Sequence, residues 1–220
     1  MKLGVQVCSE LEWRSTKRIL GIRNDKLKRQ PFRECFEHRI GKQKCVFYQT
    51  GDTKTRSAAG CQLAIDRWHP DGIVNLGTCG GVAEKVQKLD IIMADKTVQY
   101  DCIICFGESR EPFYKPMITV IDTSWADISK VPRRIHKGTI ASADQDLNVE
   151  WMERLRRENV LGADWESGAI SKLCELNKVK CLILRGVTDV PNDRQASDFE
   201  NNTPIVMESL LQVLTQIRFL

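Results

Sequence analysis

Apolar and polar positions fall in short blocks along this chain, and the blocks switch between two periods. Residues 3–8 form an apolar run of strand length. Residues 10–20 bring Leu11, Ile19 and Leu20 to helical spacing, behind Ser9, a residue type that caps helix N-termini. After a polar stretch to Pro31, residues 32–40 and 44–50 read as two strands around Gly41. Residues 54–68 read as a helix rich in small residues (Ala58, Ala59, Gly60, Ala64), followed by the turn Pro70-Asp71-Gly72. Residues 73–76 are a short buried strand that leads into a turn, Gly77-Thr78-Cys79-Gly80-Gly81. Strand character returns at 91–100, 117–121 and 138–142, with a loop expected at 108–115. Helices are predicted at 148–158 and 167–176, and an apolar strand at 179–188. A polar loop is expected over 191–202 and an amphipathic closing helix over 204–217.

Strands alternate with helices for much of the length, which predicts an α/β fold with a mostly parallel sheet covered on both faces. The consecutive strands between 32 and 50, and between 91 and 120, predict antiparallel or barrel-like portions. No repeat, low-complexity tract or linker breaks the pattern, so residues 1–220 read as a single domain.

The 220 residues are 42% hydrophobic and 28% charged, an ordinary globular balance. No apolar run approaches the roughly 18 residues of a membrane span, and no signal peptide is read at the N-terminus. Nine cysteines, an odd number spread over strands and helices, point to buried or free thiols in a reducing cytoplasm. Cys102 and Cys105 form a C-x-x-C without a second pair at zinc spacing. They sit in an apolar run and read as strand residues, so no metal site is expected. The net charge of +4 comes mostly from residues 14–44, where Lys17, Arg18, Arg23, Lys26, Lys28, Arg29, Arg33, Arg39, Lys42 and Lys44 cluster. No nucleic-acid motif accompanies them. A solvated helix face and loop is the reading, and a nucleic-acid partner is not expected.

Candidate chemistry sits just past the strands. Ligands of open α/β sheets bind outside the carboxyl ends of the strands. Glu12 follows the first strand-like run, Glu166 follows a buried run through Gly162 and Ala163, and Asp189 follows Thr188 at the end of another. One acid at a strand end is often a helix cap; three suggest acid/base chemistry on a small molecule. Glu166 would open a helix whose positive end favours an ionised carboxylate, able to grip paired hydroxyls. Simple capping is its alternative. Asp189 in a poorly solvated cleft would have the raised pKa of a general acid. Arg185 has the parity to share its face but, inside an apolar strand, needs an acidic partner. The glycine-rich segment lets backbone N–H groups approach a ligand, and Thr78 adds a hydroxyl. A plain tight turn is the alternative there. It is neither G-x-G-x-x-G nor a P-loop, so NAD and ATP are not indicated and no cofactor is expected. His38, His69 and His136 lie beside no nucleophile elbow.

Together these segments resemble the nucleoside phosphorylase and nucleosidase superfamily, nearest to the 5′-methylthioadenosine/S-adenosylhomocysteine nucleosidases. The opening strand with Glu12 resembles the family's opening strand and its acid. Asn75-Leu76-Gly77-Thr78-Cys79-Gly80-Gly81 resembles its NxGxAGG segment, and Asp164-Trp165-Glu166-Ser167-Gly168-Ala169 its Met-Glu-x-x-Ala segment. Arg185-Gly186-Val187-Thr188-Asp189 resembles its R-x-x-Ser-Asp strand end, and Tyr100-Asp101 its Tyr-x-Asp. The matches run in order over nearly the whole chain. The resemblance implies a three-layer α/β/α sandwich with a mixed, partly barrel-like central sheet, and a homodimer or larger oligomer. It implies hydrolysis of an N-glycosidic bond in a nucleoside, with Asp189 protonating or hydrogen-bonding the purine at N7. Glu166 would hold the ribose hydroxyls and Glu12 would activate water. Thr78, Cys79 and Gly80 would line the sugar and nucleophile pocket, with Asp146, Leu147, Trp165, Arg185 and Thr188 around the substrate.

Two departures bear on specificity. Asp146 stands where the family carries an aromatic that stacks on the purine, and an acid cannot stack. Trp165 replaces the usual Met and could supply that face or fill the pocket. Phosphorolysis is a second reading. The superfamily's phosphorylases commonly carry arginine where this chain has Asn75, and Glu12 would repel phosphate, so water is favoured. Arg14, Arg18 and Arg56 are the cations that could compensate. A third reading, a relative that binds a nucleoside or protein partner without turnover, draws on Asp146 and Trp165, but retention of all three acids argues against it.

Overall fold

The architecture comes from a computed structural model that describes residues 1–29, 31, 33–103, 117–191 and 194–220. The described strands are β1 (Lys2–Val7), β2 (Lys28–Arg29), β3 (Glu34–Ile40), β4 (Gln43–Gln49), β5 (Gly72–Gly81), β6 (Ile91–Gln99), β7 (Ile118–Val120), β8 (Ala126–Asp127), β9 (Ile135–Ser142), β10 (Val160–Asp164), β11 (Lys180–Asp189) and β12 (Arg218–Phe219). The helices are α1 (Glu10–Ile19), α2 (Lys54–Trp68), α3 (Val149–Arg157), α4 (Ser167–Asn177) and α5 (Gln195–Gln216).

One mixed sheet runs β10-β9-β6-β11-β5-β1-β4-β3-β2, with β7 on β6. Its centre, β5-β1-β4 and β5-β11, is parallel. The expected antiparallel portions are the β3–β4 hairpin around Gly41 and the β6–β7 pair. The sheet also curls on itself. An antiparallel pairing of β10 with β5 (Gly162 with Gly81, Ala163 with Gly80) closes β5, β11, β6, β9 and β10 into a five-stranded barrel. Glycine is required at the seam: a Cβ on Gly162 would lie 3.0 Å from both Cys79 Sγ and the Gly80 carbonyl.

Side-chain alternation builds three layers. Leu3, Val5 and Val7 of β1, with Leu182 and Leu184 of β11, pack against Trp13 of α1 and Met207, Leu210 and Leu214 of α5. The opposite face, through Ile73 and Ile183, packs against Cys61, Ala64 and Ile65 of α2 and Ile170 and Cys174 of α4. The result is the expected α/β/α sandwich with a partly barrel-like sheet.

Three expectations are corrected. The segment Gly77–Gly81 is not a turn after a strand; β5 continues through Gly81, paired with Arg185, Gly186, Val187 and Asp189 of β11. Its glycines serve close approach rather than chain reversal, and none has a positive φ. The polar stretch at 191–202 is not a loop throughout, since α5 begins at Gln195 and carries Pro204 inside it. The polar side chains of its first turns are used in anchoring: Gln195 Nε2 donates to the Leu147 carbonyl (3.1 Å) and Asn202 Nδ2 to the Thr188 carbonyl (2.7 Å). Cys102 lies beyond the end of β6 rather than in a strand, while Phe32, Cys105 and the expected loop at 108–115 fall outside the described residues. None of the eight described cysteines is in a disulfide, and seven of them are buried. His38 and His136 lie on β3 and β9, and His69 caps α2. The basic stretch is largely exposed and partly paired, with Lys17 on Glu34, Lys28 on Glu37, Arg33 on Glu10 and Arg23 beside Asp25. Among the described residues no helix is long and apolar enough to cross a membrane.

Candidate active site

A cavity of about 720 Å³ opens at the carboxyl ends of the central strands. Ser9, Glu12 and Arg14 enter it after β1, and Asp52 after β4. Thr78, Cys79 and Gly80 line it from β5, Gln145, Asp146 and Leu147 after β9, Trp165 and Glu166 after β10, and Thr188 and Asp189 from β11. Gln195, Phe199 and Glu200 of α5 close one side. Glu12, Glu166 and Asp189, from three distant parts of the chain, therefore share one space.

Glu12 is held by both carboxylate oxygens. Oε1 accepts from the Thr78 backbone N–H (2.6 Å) and hydroxyl (2.9 Å), and Oε2 from the Ser9 N–H (3.0 Å). The Ser9 hydroxyl accepts from the Glu12 N–H, completing a capping box on α1. Capping and site lining are thus one arrangement, and the cap fixes the carboxylate against β5.

Asp164 is the hub of the buried polar network. It accepts from the Ser142 hydroxyl (2.6 Å), the Ser167 hydroxyl, the backbone N–H groups of Glu166 (3.1 Å) and Ser167 (3.0 Å), and Arg185 Nε (2.5 Å). It satisfies the first N–H groups of α4, so Glu166, at the cap position, makes no side-chain cap and is free to face the cavity. Arg185 also donates to Asn75 Oδ1 (2.5 Å) and lies 3.8 Å from Glu166 Oε2. Gly77 leaves room for this: a Cβ there would fall 2.2 Å from Arg185 Nη1 and 2.9 Å from Glu12 Oε1.

Arg185 is fully buried and does not line the cavity, which corrects its place among the substrate-contacting residues. A register shift between Val187 and Asp189 breaks the parity that would have put Arg185 and Asp189 on one face. Its structural pairing, with Asp164, is the role observed. Asn75 likewise lies behind the cavity, donating to the Gln6 carbonyl (3.1 Å), so its identity does not bear directly on an anion in the site. Of the three cations considered for a phosphate, only Arg14 lines the cavity.

Electrostatics separate the carboxylates. Burial pushes the Glu166 pKa well up, Asp164 adds to this, and Arg185 opposes it. The shift runs opposite to the ionisation that a helix N-terminus would favour. The Asp189 pKa is also raised, chiefly by burial, against the hydrogen bonds of Thr188 and Gln195; Asp198 and Asp146 push it further up. The Thr188 hydroxyl lies 2.6 Å from Asp189 Oδ1. The other oxygen, Oδ2, is 3.5 Å from the place a Gly80 Cβ would take, beside Leu147. Glu12 and Asp52 act on Glu166, and Glu12 on Asp52, whereas Asp146 and Asp198 act on Asp189. Glu12, after β1, is bonded to Thr78, whereas Asp189 is paired with Gly80 at the end of β11, on the other side of β5. The cavity thus has a Glu12/Glu166 end and an Asp189 end.

Of the residues named from the sequence around the substrate, Thr78, Cys79, Gly80, Asp146, Leu147, Trp165 and Thr188 line the cavity. Sequence reading missed Asp164, Asp52, Gln145, Gln195 and Phe199. The need of Arg185 for an acidic partner was the signal for Asp164, but it did not say which acid. Nothing in the sequence marked Phe199, which sits where a polar loop was expected. Among the described residues no cluster of His, Cys, Asp or Glu has the arrangement to hold a metal ion.

The chain matches the family model described as the phosphorylase superfamily over residues 16–217. It is 26% identical over 215 residues to the 5′-methylthioadenosine/S-adenosylhomocysteine nucleosidase of Haemophilus influenzae (strain PittEE), covering 93% of each chain. Its fold is that of the nucleosidase of the same name from Neisseria meningitidis, solved with methylthio-immucillin-A (TM-score 0.81, 17% identity, 98% and 97% of the two chains). It also superposes on futalosine hydrolase of Helicobacter pylori strain 26695 (TM-score 0.84, 16% identity, 97% of each chain). Capping-box acid, glycine-rich strand and terminal Asp189 thus stand in a fold shared with nucleoside-cleaving enzymes, and the chain belongs to the phosphorylase superfamily.

Proposed function

We propose that the protein is an N-ribosyl hydrolase that cleaves the N-glycosidic bond of a purine nucleoside or 5′-thionucleoside, releasing free base and sugar. One observation carries this reading: Asp189, with a raised pKa, stands at one end of a cavity whose other end holds Glu12 and Glu166. Cleavage of this bond passes through an oxocarbenium-like sugar, which needs a proton for the departing base and negative charge near the ring. Asp189 delivers its proton to the base as the C–N bond breaks and the electron pair moves onto the base. Glu166 accepts hydrogen bonds from the ribose hydroxyls. Glu12, immobilised by Thr78 and Ser9, takes a proton from the water that attacks the anomeric carbon. Thr78 and Gly80 line the sugar's path. The half-buried rings of Trp165 and Phe199 offer flat faces to the substrate in place of the aromatic missing at Asp146.

Water is favoured over phosphate because eight of the lining residues are acidic and one, Arg14, is basic, so an anion meets net repulsion. The same reading takes the active form to be a cytoplasmic homodimer that acts in nucleoside or methionine salvage on a small-molecule substrate.

A nucleoside panel, incubated with and without phosphate, tests the proposal. Free base and free sugar at equal rates in both conditions are expected. Sugar 1-phosphate would mean phosphorolysis. Saturable binding without release of base would mean a binding protein.

A further inference from the structure

Asp52 belongs to the cavity wall but to none of the roles above. It sits between β4 and α2 in Thr50-Gly51-Asp52-Thr53, a segment whose backbone is unusual on both sides of it. Gly51 has φ +87°. Thr53 has φ 83° and ψ 150°, a region that only glycine enters without strain. The loop is held there by bonds that do not use the Asp52 carboxylate, which accepts from its own backbone N–H. The Gly51 N–H donates to the Cys8 carbonyl (3.0 Å), and the Ser57 hydroxyl to the Thr53 carbonyl (2.7 Å). The Lys54 N–H donates to Asp144 Oδ1 (2.7 Å), and Lys54 Nζ pairs with Asp101 (2.5 Å). A strained loop fastened from four directions thus presents one half-buried carboxylate to the cavity.

That carboxylate has no ion-pair partner within 4 Å among the described residues. Of the two arginines on this side, Arg33 is engaged by Glu10 at 2.9 Å, and Arg56 is exposed. Burial and the charge of Glu12 push the Asp52 pKa up, and Arg33 and Arg56 oppose this from a distance. Asp52 also acts on Glu166. In the sheet order β11-β5-β1-β4, Asp52 follows β4 and so lies beyond Glu12, on the side away from Asp189. With the base at Asp189, the anomeric carbon at Glu12 and the 2′ and 3′ hydroxyls on Glu166, that side is left to C5′.

We propose that Asp52 is a specificity-determining residue that accepts a hydrogen bond from a donor, a hydroxyl or an ammonium, on the C5′ side of the sugar. This rests on the hydrolase reading above and narrows its substrate class. A 5′-alkylthio group offers no donor and would leave the carboxylate desolvated and unpaired.

The test compares adenosine, 5′-amino-5′-deoxyadenosine and 5′-methylthioadenosine as substrates of the wild type, Asp52→Asn and Asp52→Leu. Their Kd values are measured by calorimetry in an Asp189→Asn background. The wild type is expected to favour the two donor-bearing compounds over the methylthio compound by about 10–100-fold in kcat/KM and in Kd. Asp52→Leu is expected to shrink that ratio at least about tenfold. Asp52→Asn, the isostere that keeps the loop should the leucine variant not fold, is expected to lose the preference for the amine and keep that for the hydroxyl. Wild-type preference for the methylthio compound, or ratios unchanged by both substitutions, would overturn the proposal. If no compound is cleaved, the hydrolase reading falls, and the Kd ratios still decide the role of Asp52.

Discussion

At the scale of single residues, each carboxylate at this site is defined by what surrounds it. Asp189 is buried and keeps a hydroxyl partner in Thr188 that an amide can also use. Asp189→Asn should therefore fold normally and lower kcat by about 10²–10⁴-fold on purine nucleosides, as loss of a general acid does. Steady-state kinetics check this, and an unchanged kcat would remove Asp189 from the chemistry. Glu166 makes a prediction about stability. Its folded pKa lies above the ordinary 4.5 because burial and Asp164 outweigh Arg185. The folded chain holds this proton more tightly than the unfolded one, so stability falls as pH rises from the unfolded value toward the folded one. Glu166→Gln should raise Tm at pH 8 by at least about 2 °C, with the gap closing near pH 4. A gap independent of pH would contradict the assignment. Activity should fall at the same time, since an amide grips hydroxyls less strongly than a carboxylate.

At the scale of elements, the site depends on how closely strands and helices approach. Gly186 of β11 lies under α5, where a Cβ would come within 1.9 Å of Val206 Cγ1. The helix that carries Gln195 and Phe199 into the cavity is seated by that contact. Gly186→Ala should cost about 1–3 kcal/mol of stability, by urea denaturation, and raise KM as α5 is displaced. Retained stability and KM would show that the helix tolerates the shift. Much at this scale was legible in the sequence. The periodicity of Lys54–Trp68, the apolar run of β11 and the β3–β4 hairpin around Gly41 all depend on local pattern, which one chain displays. The extension of β5 through Gly81 was not legible. Glycines that open a turn and glycines that let β10 close on β5 look alike until the partner strand is known. The start of α5 was hidden for a related reason: Gln195 and Asn202 read as loop residues, but their side chains bind carbonyls of other elements.

At the scale of the whole molecule, the fold's contribution is convergence. Glu12, Glu166 and Asp189 could be picked out as strand-end acids, because the carboxyl edge of a parallel sheet is where ligands collect. Their common cavity, the Asp164–Arg185 network behind it, and the entry of Asp52 and Phe199 required the closed barrel and the layers around it. Asp52 belongs to no run with a period, and Phe199 continues the period of α5 into first turns whose polar residues hid it.

The central claim is one of orientation: the base lies against Asp189 and the sugar against Glu12 and Glu166. A crystal structure with a non-hydrolysable purine nucleoside tests it most directly. Base N7 is expected within hydrogen-bond distance of Asp189, and the 2′ and 3′ hydroxyls on Glu166. A nucleoside bound in the reverse sense, or outside this cavity, would contradict it.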